Sequence, residues 1–192
     1  MPFCCINQHV NSTGKTWCNE CESLIAGARV DDYSIISYIG KGNMSAVYLA
    51  NQLSLNNRKV VIKVLPPVGI NANVDDFRRE AAMLATLTHP YILPIYSYGI
   101  VNERHSGAVT YSPYLVLPYA AQGSLTDIFD REGKRPWPLS RVVPIMEEAA
   151  EALDHAHAQG VLHRDVKPAN LLQMGSHVML SDFGVASLID TN

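Results

Sequence analysis

Apolar and β-prone side chains dominate residues 33–39 and 46–52 with few polar positions among them, and these β-rich runs predict a pair of β-strands. Between them lies Gly40-Lys41-Gly42-Asn43-Met44-Ser45, a turn whose two glycines let backbone N–H groups approach a neighbour with no Cβ in the way. Residues 59–65 make a third strand, nearly all apolar apart from Lys63 in its middle, and Pro66-Pro67 ends it. The pattern then turns helical. Over residues 75–87, Phe77, Leu84 and Leu87 fall on one side of a helix from which Glu80 can reach Lys63. Two more strands are expected at 95–100 and 114–119, joined by a polar, solvated loop through Asn102, Glu103, Arg104 and His105. Gly123-Ser124-Leu125 opens a short helix. Ser140 is expected to cap a long one running to about residue 159, with Met146, Ala150, Leu153 and His157 toward a core and Gly160 ending it. His155 and His157, two positions apart, point to different faces of that helix and do not form a metal pair.

The chemistry concentrates in His163-Arg164-Asp165-Val166-Lys167-Pro168-Ala169-Asn170, followed twelve residues later by Asp182-Phe183-Gly184. Asp165 can accept a hydroxyl proton, and Lys167 can neutralise charge on a moving phosphoryl group. Asn170 and Asp182 can offer oxygens to magnesium. That is the inventory phosphoryl transfer requires.

Composition narrows the picture further. With 192 residues, 47% of them hydrophobic, the chain can bury a core and is long enough for one domain plus a small appendage. A formal charge of −3 gives no broad basic field, so nucleic acid is not an expected partner. No stretch approaches the roughly 20 apolar residues of a membrane span, and Met1-Pro2-Phe3-Cys4-Cys5 does not read as a secretory signal. The expected location is cytoplasmic.

All four cysteines lie between positions 4 and 21, which marks a module. Cys18-x-x-Cys21 is a tight thiolate pair suited to zinc, and Cys5 with His9, or Cys4 in place of Cys5, can complete a tetrahedral site. The bland alternatives are a frayed terminus or a disulfide, the latter disfavoured in a reducing compartment. Residues 1–24 are thus expected as a zinc-ribbon-like segment, residues 25–32 as a linker, and residues 33–192 as the main domain.

These motifs, in this order, resemble the protein kinase superfamily, and among its members the bacterial-type serine/threonine kinases; the short N-terminal segment resembles the zinc ribbon found ahead of some of them. The resemblance implies an α+β fold, with a five-stranded antiparallel small lobe carrying helix C and a partial, mainly helical large lobe. It implies ATP and magnesium as cofactors and a protein serine or threonine hydroxyl as acceptor. By the same resemblance Gly40, Gly42 and Val47 cover the nucleotide, while Lys63 and Glu80 pair to fix its phosphates. Leu117, Pro118, Ala120 and Leu172 line the adenine site, and Ser124 stands near the ribose.

Three positions depart from the family pattern: Ser45 replaces the third loop glycine, Val61 a small alanine, and Pro118 an acidic residue. Proline keeps its carbonyl, so the acceptor for the adenine amino group survives. Lys63, Asp165, Asn170 and Asp182 are all present, so the motifs are not those of a pseudokinase. Eight residues follow Gly184, which leaves most of the activation segment and the helical half of the large lobe outside this sequence. The expectation is a kinase impaired by truncation and marginally stable, with a non-catalytic ATP-binding or partner-interaction module as the alternative.

Overall fold

The computed structural model describes residues 3–11, 15–18, 20–21, 23–41, 45–66, 74–105 and 108–183, with backbone alone at 3, 4, 74, 102–105 and 108–110. The chain divides into two compact units, Met1–Arg78 with Ile95–Tyr119, and Arg79–Pro94 with Ala120–Asn192.

The first unit is built on strands. β1 (Phe3–Cys4) and β2 (Val10–Asn11) form a small antiparallel hairpin. β3 (Arg29–Val30), β4 (Tyr33–Lys41), β5 (Ala46–Gln52), β6 (Arg58–Val64), β7 (Ser97–His105) and β8 (Ala108–Pro118) form one antiparallel sheet in the order β3-β4-β5-β6-β8-β7. The five expected strands are present, and β3 adds a sixth at the edge.

That extra strand comes from residues 25–32, read above as a linker. Ile25, Ala28 and Val30 are instead buried in the same core as Tyr33, Ile35, Tyr48, Val60 and Ile62. The segment is short and polar in places, yet its apolar positions supply one wall of the core.

β4 shows how the sheet keeps its apolar face inward. Ile35 pairs with Ala50 and Ser37 with Leu49, then Tyr38 with Tyr48 and Gly40 with Val47, so Ile36 and Ile39 are each passed over. Both are exposed, as expected of bulged residues that have no partner on the neighbouring strand. The two bulges re-phase β4 and bring Gly40 opposite Val47.

The polar stretch expected as a loop is strand: residues 102–105 belong to β7 and pair with β8 through His105 opposite Ala108. As the outermost strand of its side of the sheet, β7 needs no apolar alternation at its far end, so polarity was a poor guide there.

The division between the units falls within α1 (Val74–Ala85), which buries Phe77, Ala81 and Leu84, with Leu87 buried just beyond it. Phe77 meets Tyr98 edge to face at 6.3 Å between ring centroids.

In the second unit, α2 (Leu125–Arg131) starts at Ser124, whose Oγ accepts from the Asp127 N–H while the Asp127 carboxylate accepts from the Ser124 N–H at 2.8 Å. This reciprocal box satisfies two otherwise orphaned donors. α3 (Leu139–Ala158) is capped by Pro138 with no side-chain bond, so Ser140 lies inside the helix and does not cap it. Its buried face is Ala149, Ala152 and Ala156, while Met146, Ala150 and His157 are exposed and Leu153 is half-buried. Ala149, Ala152 and Ala156 recur at steps of three and four, so the stripe that α3 buries is one of small side chains; the helix also has a close neighbour in this unit. Gly160, at φ +74°, follows the C-cap as expected.

The neighbour is a hairpin, β9 (Leu171–Met174) against β10 (His177–Leu180), preceded by a single 3₁₀ turn at Pro168–Asn170. Glu148 of α3 accepts from the Val178 N–H and meets His177 Nδ1, both at 2.7 Å, and ties the hairpin to the helix. Leu180 also bridges to Ile92, with the Leu93 N–H donating to its carbonyl at 2.9 Å. None of the helices is long and apolar enough to cross a membrane among the described residues.

Candidate functional site

The expected chemical residues fall in three places. In the first unit, Lys63 of β6 stands opposite Val47 on β5 and Leu115 on β8, at 6% exposure. Gly40 is opposite Val47, and the sheet continues through β8, where Leu117 and Pro118 pair with Val61 and Val60. The sheet register thus gathers Gly40, Val47 and Lys63 on three adjacent strands. Gly42 lies outside the described residues.

The second unit holds Glu80, half-buried on α1, together with Ala120, Asp165, Lys167, Asn170, Leu172 and Asp182. Leu172, on β9, is bridged to Ser124 at the start of α2. Ser124 Oγ is committed to the cap of α2, a role the sequence reading had not assigned to it.

The tightest constellation surrounds Asp165. Its Oδ2 accepts from Lys167 Nζ at 2.6 Å and from Asn170 Nδ2 at 3.1 Å, and its main-chain carbonyl accepts from the same Nδ2 at 2.8 Å. The Lys167 ammonium holds the Asp165 carboxyl below its usual range, and the Asn170 hydrogen bond adds to this. Asp165 is 46% and Lys167 37% exposed, so the carboxylate is ionised and open to a reactant. Asn170, at 6%, is buried. With its Nδ2 given to Asp165, Oδ1 is the atom left to meet a cation. Ser181 closes the group, its N–H and Oγ both donating to the Asn170 carbonyl, at 2.8 and 3.0 Å.

His163 sets the frame for this loop. Its Nδ1 accepts from the Asp165 N–H at 3.2 Å, so Nε2 carries the proton and donates to the Ser181 carbonyl at 2.7 Å. Phe183 packs edge-on to the imidazole, 4.7 Å between centroids, and burial pushes the His163 pKa below its ordinary value. A neutral ring with both nitrogens engaged therefore links the Asp165 loop to the strand leading into Asp182. Arg164 and Asp182 both adopt positive φ, 65° and 69°, a conformation uncommon for residues with a Cβ. The sequence reading missed the bridging role of His163, although its place two residues before Asp165 was visible.

The third place is the N-terminal knuckle. Cys5, His9, Cys18 and Cys21 bring their ligand atoms within 4.8 Å of one another. Cys21 Sγ is 3.4 Å from Cys5 Sγ, and His9 Nδ1 is 3.5 Å from Cys18 Sγ. A tetrahedron with metal–sulfur bonds of about 2.3 Å has edges of about 3.7 Å, so the spacing fits one ion. On the far side of the ring, His9 Nε2 lies 3.5 Å from the Glu20 carboxylate, which orients Nδ1 toward the sulfurs as carboxylates do behind metal-bound histidines. Burial opposes the Cys18 thiolate, yet hydrogen bonds from the Glu20 and Cys21 backbone and from His9 outweigh it and lower the thiol to about 6. Three sulfurs and one imidazole nitrogen are a donor set that can hold a metal. Of the alternatives Cys4 and Cys5, it is Cys5 whose sulfur joins this group; the side chain of Cys4 lies outside the description. Glu20 was not anticipated, because nothing in its spacing marks it as the partner of His9.

Comparison with known proteins decides the family. The protein kinase domain model matches residues 33–192. The chain belongs to the protein kinase family. This kinase-family chain is 36% identical over 167 residues to the serine/threonine-protein kinase PknB of Mycobacterium leprae, covering 83% of its own length and 25% of PknB. It is 34% identical over 173 residues to the serine/threonine-protein kinase PrkC of Bacillus subtilis, again covering 25% of that protein. The chain thus spans about a quarter of the length of these curated relatives. Among solved structures, the Mycobacterium tuberculosis PknI kinase domain aligns with a TM-score of 0.67 at 29% identity, over 86% of this chain and 64% of that domain. Fold and relatives agree with the protein-kinase-like architecture expected from the motifs.

Proposed function

We propose that this chain carries the nucleotide-binding and phosphoryl-transfer residues of a serine/threonine protein kinase, which moves the γ-phosphoryl group of ATP to a protein serine or threonine hydroxyl. The observation that carries the reading is the Asp165–Lys167–Asn170 group, in which an ionised, half-exposed carboxylate is held by a cation and a buried amide. Asp165 accepts the hydroxyl proton, and Lys167 stabilises charge on the transferring group. Asn170 and Asp182 are the residues that would hold magnesium, which when bound neutralises charge on the phosphates.

Lys63 and Glu80 are assigned to the α- and β-phosphates, with Gly40, Gly42 and Val47 covering the nucleotide. Leu117, Pro118, Ala120 and Leu172 are assigned to the adenine site. These roles rest on the family resemblance, on the buried lysine of β6 and on the register that aligns it with Val47. No covalent enzyme intermediate is involved, so positioning and charge stabilisation carry the rate. Protein substrates bearing serine or threonine, and a cytoplasmic setting for this segment, complete the reading; nucleic acid is not among the expected partners.

A structural zinc ion is proposed at Cys5, His9, Cys18 and Cys21, supported by the donor spacing and by Glu20 behind His9. The core formed with these cysteines includes Tyr48 and Val60, so the ion would serve folding rather than chemistry.

Incubating the purified chain with magnesium, ATP and a generic protein substrate, beside Asp165→Asn, tests the catalytic reading by intact mass. Phosphate on either protein, absent with the variant, supports it. ATP binding without transfer favours the non-catalytic module.

A further inference from the structure

Resting on the zinc assignment, we propose that Cys5 and Cys21 are a peroxide-sensitive pair whose oxidation releases the metal and loosens the sheet that carries Lys63. Their sulfurs are 3.4 Å apart, so a disulfide of about 2.05 Å requires an approach of only about 1.4 Å. The three cysteines are unequal in burial: Cys5 and Cys18 are buried, whereas Cys21 is half-buried, which makes Cys21 the most accessible of the three to a small oxidant.

The chemistry is a two-electron oxidation by a hydroperoxide. The Cys21 sulfur attacks the peroxide oxygen, the O–O bond breaks, and hydroxide leaves, giving a sulfenic acid. The Cys5 sulfur then attacks the Cys21 sulfur, the S–S bond forms, and a second hydroxide leaves. The sulfur pair gives up two electrons, and two protons from solvent complete two waters for hydrogen peroxide. Two of the four metal ligands are thereby lost, because a disulfide sulfur is a poor donor to zinc.

The consequence reaches the sheet through the core. Cys5 and Cys18 belong to the same buried cluster as Leu24, Tyr48, Val60 and Ile62. The Leu24 N–H donates to Tyr48 Oη at 3.2 Å, tying the knuckle to β5. Tyr48 pairs with Ile62, and the adjacent pair in the ladder is Val47 with Lys63. A knuckle that opens removes one wall of the core behind the proposed nucleotide-binding strands.

The test starts from the chain loaded with zinc and titrated with hydrogen peroxide, following released zinc with a chromogenic chelator, disulfides by alkylation and peptide mapping, and thermal unfolding. Zinc is expected to leave in proportion to a Cys5–Cys21 bond, with Cys18 alkylated as a thiol. Unfolding should shift down by about 5 °C or more, the size of shift that about 1 kcal/mol gives a small domain. Thiol reductant plus zinc should restore the starting state, and Cys4→Ser should behave as the parent does. Zinc retained under peroxide, a disulfide through Cys4 or Cys18, or a Cys5–Cys21 bond without a shift in unfolding would each overturn the proposal. A chain that takes up no zinc before any oxidant is added overturns the zinc assignment, and this proposal falls with it at a separate, earlier step.

Discussion

The N-terminal knuckle and the Asp165 loop each gather polar groups into a space of a few ångströms, and they do so under opposite conditions. At the knuckle, Cys5 and Cys18 are buried among apolar side chains, and three sulfurs crowd one imidazole nitrogen. At the loop, Asp165 and Lys167 stay partly open to water, while Asn170, His163 and Ser181 behind them are buried. Burial makes a polar cluster costly unless something binds it, which suits a structural ion. Exposure of a rigidly backed carboxylate costs little and leaves it available to a reactant. The two regions are therefore expected to answer perturbation differently: the knuckle through stability, the loop through activity.

The largest expected effect sits at the knuckle. Cys18→Ser should abolish stoichiometric zinc and destabilise the chain by several kcal/mol, of the order set by the binding energy of structural zinc sites. Metal analysis beside thermal unfolding reads both, and a variant that keeps its unfolding temperature would erase the contrast. Next comes Asp165→Asn, which should lower phosphoryl transfer by at least about 100-fold, the lower range for removing a general base. Its unfolding temperature should move little, because an exposed ion pair contributes about 0–1 kcal/mol. A large loss of stability here would make the loop a folding element as well.

Ser124→Ala lies between the two regions in kind. It breaks the reciprocal box with Asp127 and should cost about 1 kcal/mol in chemical denaturation. The smallest effect is set by His163, whose folded pKa lies below the ordinary 6.5 because of burial. The neutral ring is favoured in the folded chain, so its contribution is fully present above pH 6.5 and is lost as pH falls from there through the folded value. Unfolding curves between pH 7.5 and 5.5 should show this loss. His163→Gln should remove that part of the pH dependence, and an unchanged profile would mean that another group titrates.

The strands β4, β5 and β6 were legible because each is rich in apolar and β-prone side chains between glycine, asparagine or proline breaks. The Asp165 loop was legible because its acid, lysine and amide lie within six residues, so local spacing alone states their chemistry. What stayed hidden depends on tertiary pairing. Residues 102–105 read as loop, since an edge strand is specified by its partner β8 and not by its own polarity. Residues 25–32 read as linker because the core they cover is made elsewhere in the chain. On α3, Met146 outranks Ala149, Ala152 and Ala156 on hydrophobicity, but the stripe that is buried is the alanine one, and which stripe of a helix is covered depends on its neighbours in the fold. Glu20 behind His9 and the double hydrogen bond of His163 depend on side-chain directions that one-dimensional spacing does not encode.

The central claim is that Asp165, backed by Lys167 and Asn170, is the base of a phosphoryl transfer. Its most direct test is the intact mass of the chain and of an added protein substrate after incubation with magnesium and ATP, for the parent and for Asp165→Asn. Phosphate on serine or threonine with the parent, and none with the variant at equal nucleotide binding, is the predicted result. Transfer that persists undiminished in Asp165→Asn, or a parent that binds ATP and transfers nothing, would contradict it.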